Sequence, residues 1–195
     1  MNILLLDNRD SFTWNLEHLL TAVAAPRGGR VQVAPYDTEA LARPGALRGR
    51  DLVVLSPGPG CPDDYPGYEA LRAWDGPVLG VCLGMQILNA LEGGTTAPLP
   101  GCVHGHADTA HVWGRHWTVA RYHSLWCDHV APAFEVVGTL GPRAPDVAHG
   151  AAPPVPMALR HRRRPWLGFQ FHPESFLTPH GDELVRLALD DLGLR

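Results

Sequence analysis

The sequence predicts an α/β fold: an open, mostly parallel sheet with helices on both faces and antiparallel additions in its C-terminal half. Three observations predict it. Short unbroken apolar runs, ILLL at 3–6, LVVL at 52–55 and VLGV at 78–81, have the character of strands covered on both faces. Segments with apolar residues at helical spacing follow the first and third of these runs. From Trp117 onward, strand-like segments succeed one another with Gly/Pro-rich loops between them.

Taken in order, residues 3–6 form the first strand, ending at Asp7. Asp10 or Ser11 can cap the helix that follows, because a short polar side chain there accepts a free N–H of the first turn. Leu16, Leu19, Leu20 and Val23 repeat at i, i+3, i+4 and i+7, and Pro26 with Gly28 and Gly29 stops the helix. Residues 31–34 alternate as a second strand. Residues 52–55 make a third, broken by SPGPG at 56–60. A helix end is expected at 69–74, a strand at 78–81, and a helix over 85–91 closed by Gly93 and Gly94. Strands are then expected at 117–122, 134–137, 157–159 and 167–171, with the loopiest stretch at 138–156 and a closing helix at 183–192. No repeat or long linker divides the 195 residues, so residues 1–195 read as one domain in a three-layer, flavodoxin-like arrangement.

Composition narrows the function classes. A formal net charge of −4 argues against nucleic acid or an anionic membrane as partner. The one basic run, RHRRR at 160–164, could hold phosphates but reads as a solvated hairpin turn before Pro165. The start of the chain lacks the basic segment and long apolar core of an export signal, and no window is long and apolar enough to span a bilayer. Cys61, Cys82, Cys102 and Cys127 show no CxxC spacing, so reduced thiols and a cytoplasmic location are expected. Histidines 104, 106, 111, 116, 123 and 129 crowd one region without the cysteine spacing of a zinc site, and no metal is expected.

The chemistry gathers where the strands end. In open α/β sheets, ligands collect at the carboxyl ends of the strands, and three polar segments fall there: DNRDS at 7–11, SPGPG at 56–60 and CLG at 82–84. A fourth, HPE at 172–174, follows the strand at 167–171. GVCLG at 80–84 has the glycine–x–nucleophile–x–glycine form of a sharp strand-to-helix elbow, whose tight turn demands small flanking residues. The helix after it points N–H groups and a positive dipole end at Cys82, which favours thiolate. His172 can serve as base and Glu174 as its orienter, since residues two apart in extended chain project to one side. Negative charge developing at a carbonyl needs donors. The N–H of Leu83 is one candidate, and that of Gly58, fixed between Pro57 and Pro59, is a second.

Four segments together resemble the class I, triad-type glutamine amidotransferases: LSPGPG at 55–60, GVCLGMQ at 80–86, RYHSL at 121–125 and GFQFHPES at 168–175. RYHSL, with DNRDSFTWN at 7–15, is similar to the branch holding the small subunits of anthranilate synthase and aminodeoxychorismate synthase. The resemblance implies Cys82, His172 and Glu174 as the catalytic triad and the N–H groups of Gly58 and Leu83 as the oxyanion hole. It implies glutamine binding by Gly58, Pro59, Gly60, Gln86, Ser124 and Leu125. Three positions depart from the branch: Met85 for a histidine, Arg9 for an aliphatic residue and His106 for a basic one.

The resemblance further implies glutamine hydrolysis through a Cys82 thioester, with ammonia passed to a separate chorismate-utilising synthase large subunit. L-Glutamine is then the substrate. No cofactor is expected in this chain, and magnesium is expected at the partner synthase. The acceptor reaction can give anthranilate or, alternatively, aminodeoxychorismate. Other class I amidotransferases fit RYHSL less well, and a non-catalytic regulatory subunit does not account for a complete Cys/His/Glu set.

Overall fold

The apolar runs become the parallel half of one large sheet: β1 (Asn2–Asp7), β2 (Arg30–Pro35), β3 (Leu52–Leu55) and β4 (Val78–Val81). The later strands are β5 (Thr95–Pro98), β6 (His106–Val112), β7 (Arg115–Arg121), β8 (Leu125–His129), β9 (Phe134–Leu140), β10 (Pro156–His161) and β11 (Trp166–Phe169). The main sheet runs β2-β1-β3-β4-β11-β10-β9-β6-β7, and β5 pairs separately with β8. This computed structural model describes residues 1–37, 41, 43, 45–99, 105–140 and 154–194.

β11 inserts parallel to β4, so β2, β1, β3, β4 and β11 share one direction. From β10 onward each pairing is antiparallel. All four residues of β3, β4 and β11 are buried, as unbroken apolar runs require. Side chains alternate between two cores. Ile3, Leu5, Leu52, Val54, Leu79 and Val81 pack under α1 (Thr13–Ala24), through Leu16, Leu20 and Val23, and against Leu184, Val185 and Ala188 of the closing helix. Leu4, Leu6, Val53, Leu55 and Val78 pack on the opposite face against Leu83, Met85, Ile87 and Leu88 of α2 (Leu83–Leu91). The closing helix is α3 (Gly181–Asp191). Each such aliphatic side chain contributes about 1.5–3 kcal/mol by leaving water.

Several expected boundaries move, for physical reasons. The first helix is not capped by Asp10 or Ser11. Its N-cap is Phe12, without a side-chain cap bond, and Asp10 instead accepts the Phe12 N–H at 2.8 Å. Asp7 organises the turn, accepting from the N–H groups of Arg9 and Asp10 and from Thr13 Oγ1. The segment expected as a helix end at 69–74 is a 3₁₀ helix, Tyr68–Ala73. β11 ends at Phe169, and residues 170 and 171 bend away instead of extending the strand. β5, β6 and β8 were not foreseen; only Ala110 and Val112 of β6 are buried, so no apolar run announces it.

The basic run forms the β10–β11 turn, where Arg160 pairs with Glu135 and Asp191, and Arg162 with Glu135. His106, His111, His116, His123 and His129 are dispersed over β6, β7, β8 and the loop between the last two. His104 and Cys102 lie outside the described residues, as do residues 141–153 of the predicted loop. Among the described residues, no three His, Cys, Asp or Glu side chains are grouped to hold a metal ion, and Cys61, Cys82 and Cys127 are free thiols. No helix among them is long and apolar enough to cross a membrane.

Candidate active site

Because β1, β3, β4 and β11 are adjacent and parallel, the loops after them leave from one edge of the sheet. Those loops begin with Asn8, Ser56, Cys82 and Gln170. With the segment joining β7 to β8, they surround a cavity of about 490 Å³ lined by Cys82, Leu83, His172, Gly58, Pro59, Gly60, Gln86, Ser124 and Leu125, together with Arg9, Asp10, Phe12 and Tyr122. Every predicted site residue except Glu174 thus faces one space. Glu174 stands behind His172.

Cys82 has φ 52° and ψ −104°, a conformation that L-residues rarely adopt. The surroundings hold it there. Its N–H donates to the Phe169 carbonyl at 2.7 Å, and its own carbonyl accepts from Gln86 N–H. The two flanking glycines are required by close approach. A Cβ on Gly80 would lie 2.4 Å from the Gly84 backbone, and one on Gly84 would lie 2.4 Å from the Leu55 carbonyl oxygen. The Leu83 N–H, in the first turn of α2, has no partner within its own helix.

Opposite Cys82, His172 is held from several directions. Its N–H donates to the Ala120 carbonyl, its carbonyl accepts from Thr178 Oγ1, and Thr178 Oγ1 in turn accepts from Ala120 N–H. Phe12 and Tyr122 place their rings 5.5 and 5.0 Å from the imidazole. Nδ1 lies 2.6 Å from Glu174 Oε1. The predicted pairing is made, but not by an extended strand. The chain turns at Pro173 and Glu174, and the carboxylate folds back to the ring. Nε2 is buried and makes no hydrogen bond of good geometry, although the ring interacts with the Cys82 sulfur. Burial alone would push the imidazole pKa down. The Glu174 carboxylate and the Cys82 sulfur outweigh it and hold the pKa well above the usual 6.5.

The SPGPG loop is anchored through Asn8. Asn8 N–H donates to Ser56 Oγ, Asn8 Nδ2 to the Ser56 carbonyl, and Tyr68 Oη to Asn8 Oδ1, all buried. Tyr65 Oη donates toward the carbonyls of Asn8 and Pro59. Gly58 has no room for a side chain: a Cβ there would meet Leu83 at 2.6 Å and Asn8 at 2.8 Å.

Residues not singled out as site residues also reach the cavity wall. Gln170 is fully buried, with Nε2 3.6 Å from Cys82 Sγ and Oε1 accepting from Gln86 Nε2 at 3.1 Å. Its signal was present: it precedes His172 by two residues, the spacing that pointed to Glu174. Gln86 Nε2 also donates to the Leu125 carbonyl at 3.1 Å, and His123 Nδ1 meets the same carbonyl at 2.9 Å. Met85, one of the departures, is fully buried against Gly168, where a Cβ would lie 2.4 Å from Met85 Cγ.

Comparison with known proteins fits this arrangement. The chain is 38% identical to the pyocyanine-specific anthranilate synthase component 2 of Pseudomonas aeruginosa, over 97% of this chain and 93% of that one. It is 35% identical to anthranilate synthase component 2 of Halobacterium salinarum, covering 97% and 98% of the two chains. It is 38% identical to aminodeoxychorismate synthase of Streptomyces griseus, matching 95% of this chain but 25% of that larger protein. The fold is shared with a Thermoplasma acidophilum protein assigned as one of the subunits of GMP synthase, at TM-score 0.78 and 19% identity over 99% and 94% of the chains. The profile of the class-I glutamine amidotransferases matches residues 4–192, and the chain belongs to that family.

Proposed function

We propose that this chain is the glutaminase subunit of a synthase that aminates chorismate, supplying ammonia from L-glutamine. The observation that carries the reading is the arrangement around one cavity: a cysteine on a strained elbow, and a buried imidazole backed by a carboxylate. In this reading Cys82 Sγ attacks the side-chain amide carbon of glutamine, and the N–H groups of Leu83 and Gly58 stabilise the oxyanion. His172 gives its Nε2 proton to the amide nitrogen, the C–N bond breaks and ammonia leaves. Water, deprotonated by the now neutral imidazole, attacks the thioester carbonyl, and glutamate departs as the sulfur is released. Gly58, Pro59, Gly60, Gln86, Ser124 and Leu125 shape the pocket for the amino acid.

The chain's own chemistry runs through thiol, imidazole and carboxylate and calls for no metal. Magnesium belongs to the proposed partner. Free ammonia would be protonated and diluted in water, so transfer inside a heteromeric complex follows, and glutaminase turnover is proposed to rise when the large subunit docks. Similarity to component 2 of anthranilate synthases over nearly full length favours anthranilate as the product. Aminodeoxychorismate is the second reading, favoured by the match to Streptomyces griseus aminodeoxychorismate synthase. Glutamate release by the purified chain, alone and with each type of large subunit plus chorismate, tests the proposal. Release that depends on Cys82 and rises with one large subunit supports it and names the product. No release with either large subunit overturns it.

A further inference from the structure

Three polar groups that the proposed chemistry does not use, Asp108, Arg121 and His123, form a chain that runs up to the cavity wall. Asp108 on β6 and Arg121 on β7 form an ion pair, Nη1 to Oδ2 at 2.7 Å, with side chains only 13% and 3% exposed. Arg121 Nε donates to His123 Nε2 at 3.1 Å. A guanidinium only donates, so His123 Nε2 must accept and the ring is neutral. The ring proton then sits on Nδ1 and is donated to the Leu125 carbonyl at 2.9 Å. That carbonyl also receives Gln86 Nε2, and Gln86 reaches Gln170 and, through it, the Cys82 sulfur.

We infer that Asp108 and Arg121 are positioning residues: they lock His123 in one tautomer, which fixes the Leu125 carbonyl and with it Gln86 at the glutamine pocket. The inference rests on the glutaminase reading and deepens it. It assigns the buried pair a task that a packing role does not need, because a neutral acceptor geometry at His123 matters only if the orientation of the Leu125 peptide matters. Peptide and amide orientation at that wall sets how well the amino-acid part of the substrate is seated. The network meets the sulfur only at one remove, through Gln170, so the larger effect falls on seating the substrate. Consistently, burial first and the Arg121 charge second hold the His123 pKa down to about 4. The charged and titratable groups facing His123 are Arg121 on β7, Asp108 on β6 and His172 beyond β11.

The test separates pocket geometry from thiol reactivity with two reagents that both alkylate Cys82. One is a glutamine-shaped diazoketone, which must be seated to react; the other is iodoacetamide, which need not be. Arg121→Met alone takes the cation away from a largely buried carboxylate, so the working variants are Arg121→Met with Asp108→Leu, which removes both charges together, and Arg121→Lys, which keeps the charge and loses the Nε donor. In both, the diazoketone concentration giving half-maximal labelling rate should rise about five- to tenfold, the effect of one lost network hydrogen bond. The iodoacetamide rate and the maximal diazoketone rate should stay within about twofold.

Unchanged half-saturation in both variants overturns the inference while leaving the glutaminase reading intact. So does equal slowing with both reagents, which marks a merely structural pair. Failure of the diazoketone to label Cys82 in the native chain overturns the reading and the inference together.

Discussion

His172 Nδ1 lies 2.6 Å from Glu174 Oε1, and the carboxylate is fully buried beside it. The pair keeps the imidazole protonated to a higher pH than a free histidine, against the burial that would strip its proton. Glu174→Gln keeps the shape and removes the charge. Histidine NMR should then show the His172 pKa falling. Glutamate release should drop by about a hundredfold or more, the scale of losing an oriented general acid–base group.

The same pair sets a stability signature. A histidine whose folded pKa is raised contributes stability that is complete below its unfolded value near 6.5 and fades as pH climbs through the folded value. The difference in melting temperature between the native chain and Glu174→Gln should be widest at or below about pH 6.5 and shrink in alkaline buffer. A constant difference across pH would contradict the ion pair.

His123 titrates in the opposite sense. With its folded pKa at about 4, the unfolded chain binds the extra proton between that value and 6.5, so stability falls as pH drops through this window. The loss from this residue is on the order of 3 kcal/mol. Urea unfolding at a series of pH values should show a shallower acid slope for His123→Asn than for the native chain.

The elbow tolerates no added carbon. In Gly84→Ala the new Cβ meets the Leu55 carbonyl oxygen at 2.4 Å, and strand backbone cannot step aside. The expected cost is about 1–3 kcal/mol in urea unfolding, accompanied by loss of glutamate release as Cys82 shifts.

Gln170→Leu keeps the volume and removes both contacts, the donor to Cys82 Sγ and the acceptor for Gln86. The value of kcat/KM for glutamine should fall about tenfold, with folding little changed. A steady-state assay of glutamate release decides it.

What the sequence made legible follows from where physical constraints are local. The runs at 3–6, 52–55 and 78–81 read as strands because each is apolar at every position yet only four residues long, too short for a buried helix. Cys82 was legible because Gly80 and Gly84 have to be small, and the backbone contacts show why. β6 was not, because HADTAHV keeps only Ala110 and Val112 inside and, beyond its local hairpin with β7, its pairing with β9 is long-range. The cap of α1 was misplaced because Asp10 spends its side chain on the Phe12 N–H within the preceding turn. Gln170 and the Asp108–Arg121–His123 chain escaped notice for a related reason. Buried polar side chains take their meaning from distant partners, and residues 86, 125 and 170 meet only once β4, β8 and β11 are in place.

The central claim is a covalent bond between Cys82 and the γ-carbonyl of glutamine. Rapid acid quenching of the chain turning over glutamine with its large subunit, followed by peptide mass spectrometry, measures that bond directly. The account predicts a γ-glutamyl group on the peptide carrying Cys82, absent from Cys82→Ala, which releases no glutamate. Glutamate release persisting in Cys82→Ala, or the adduct found on Cys61 or Cys127, would contradict it.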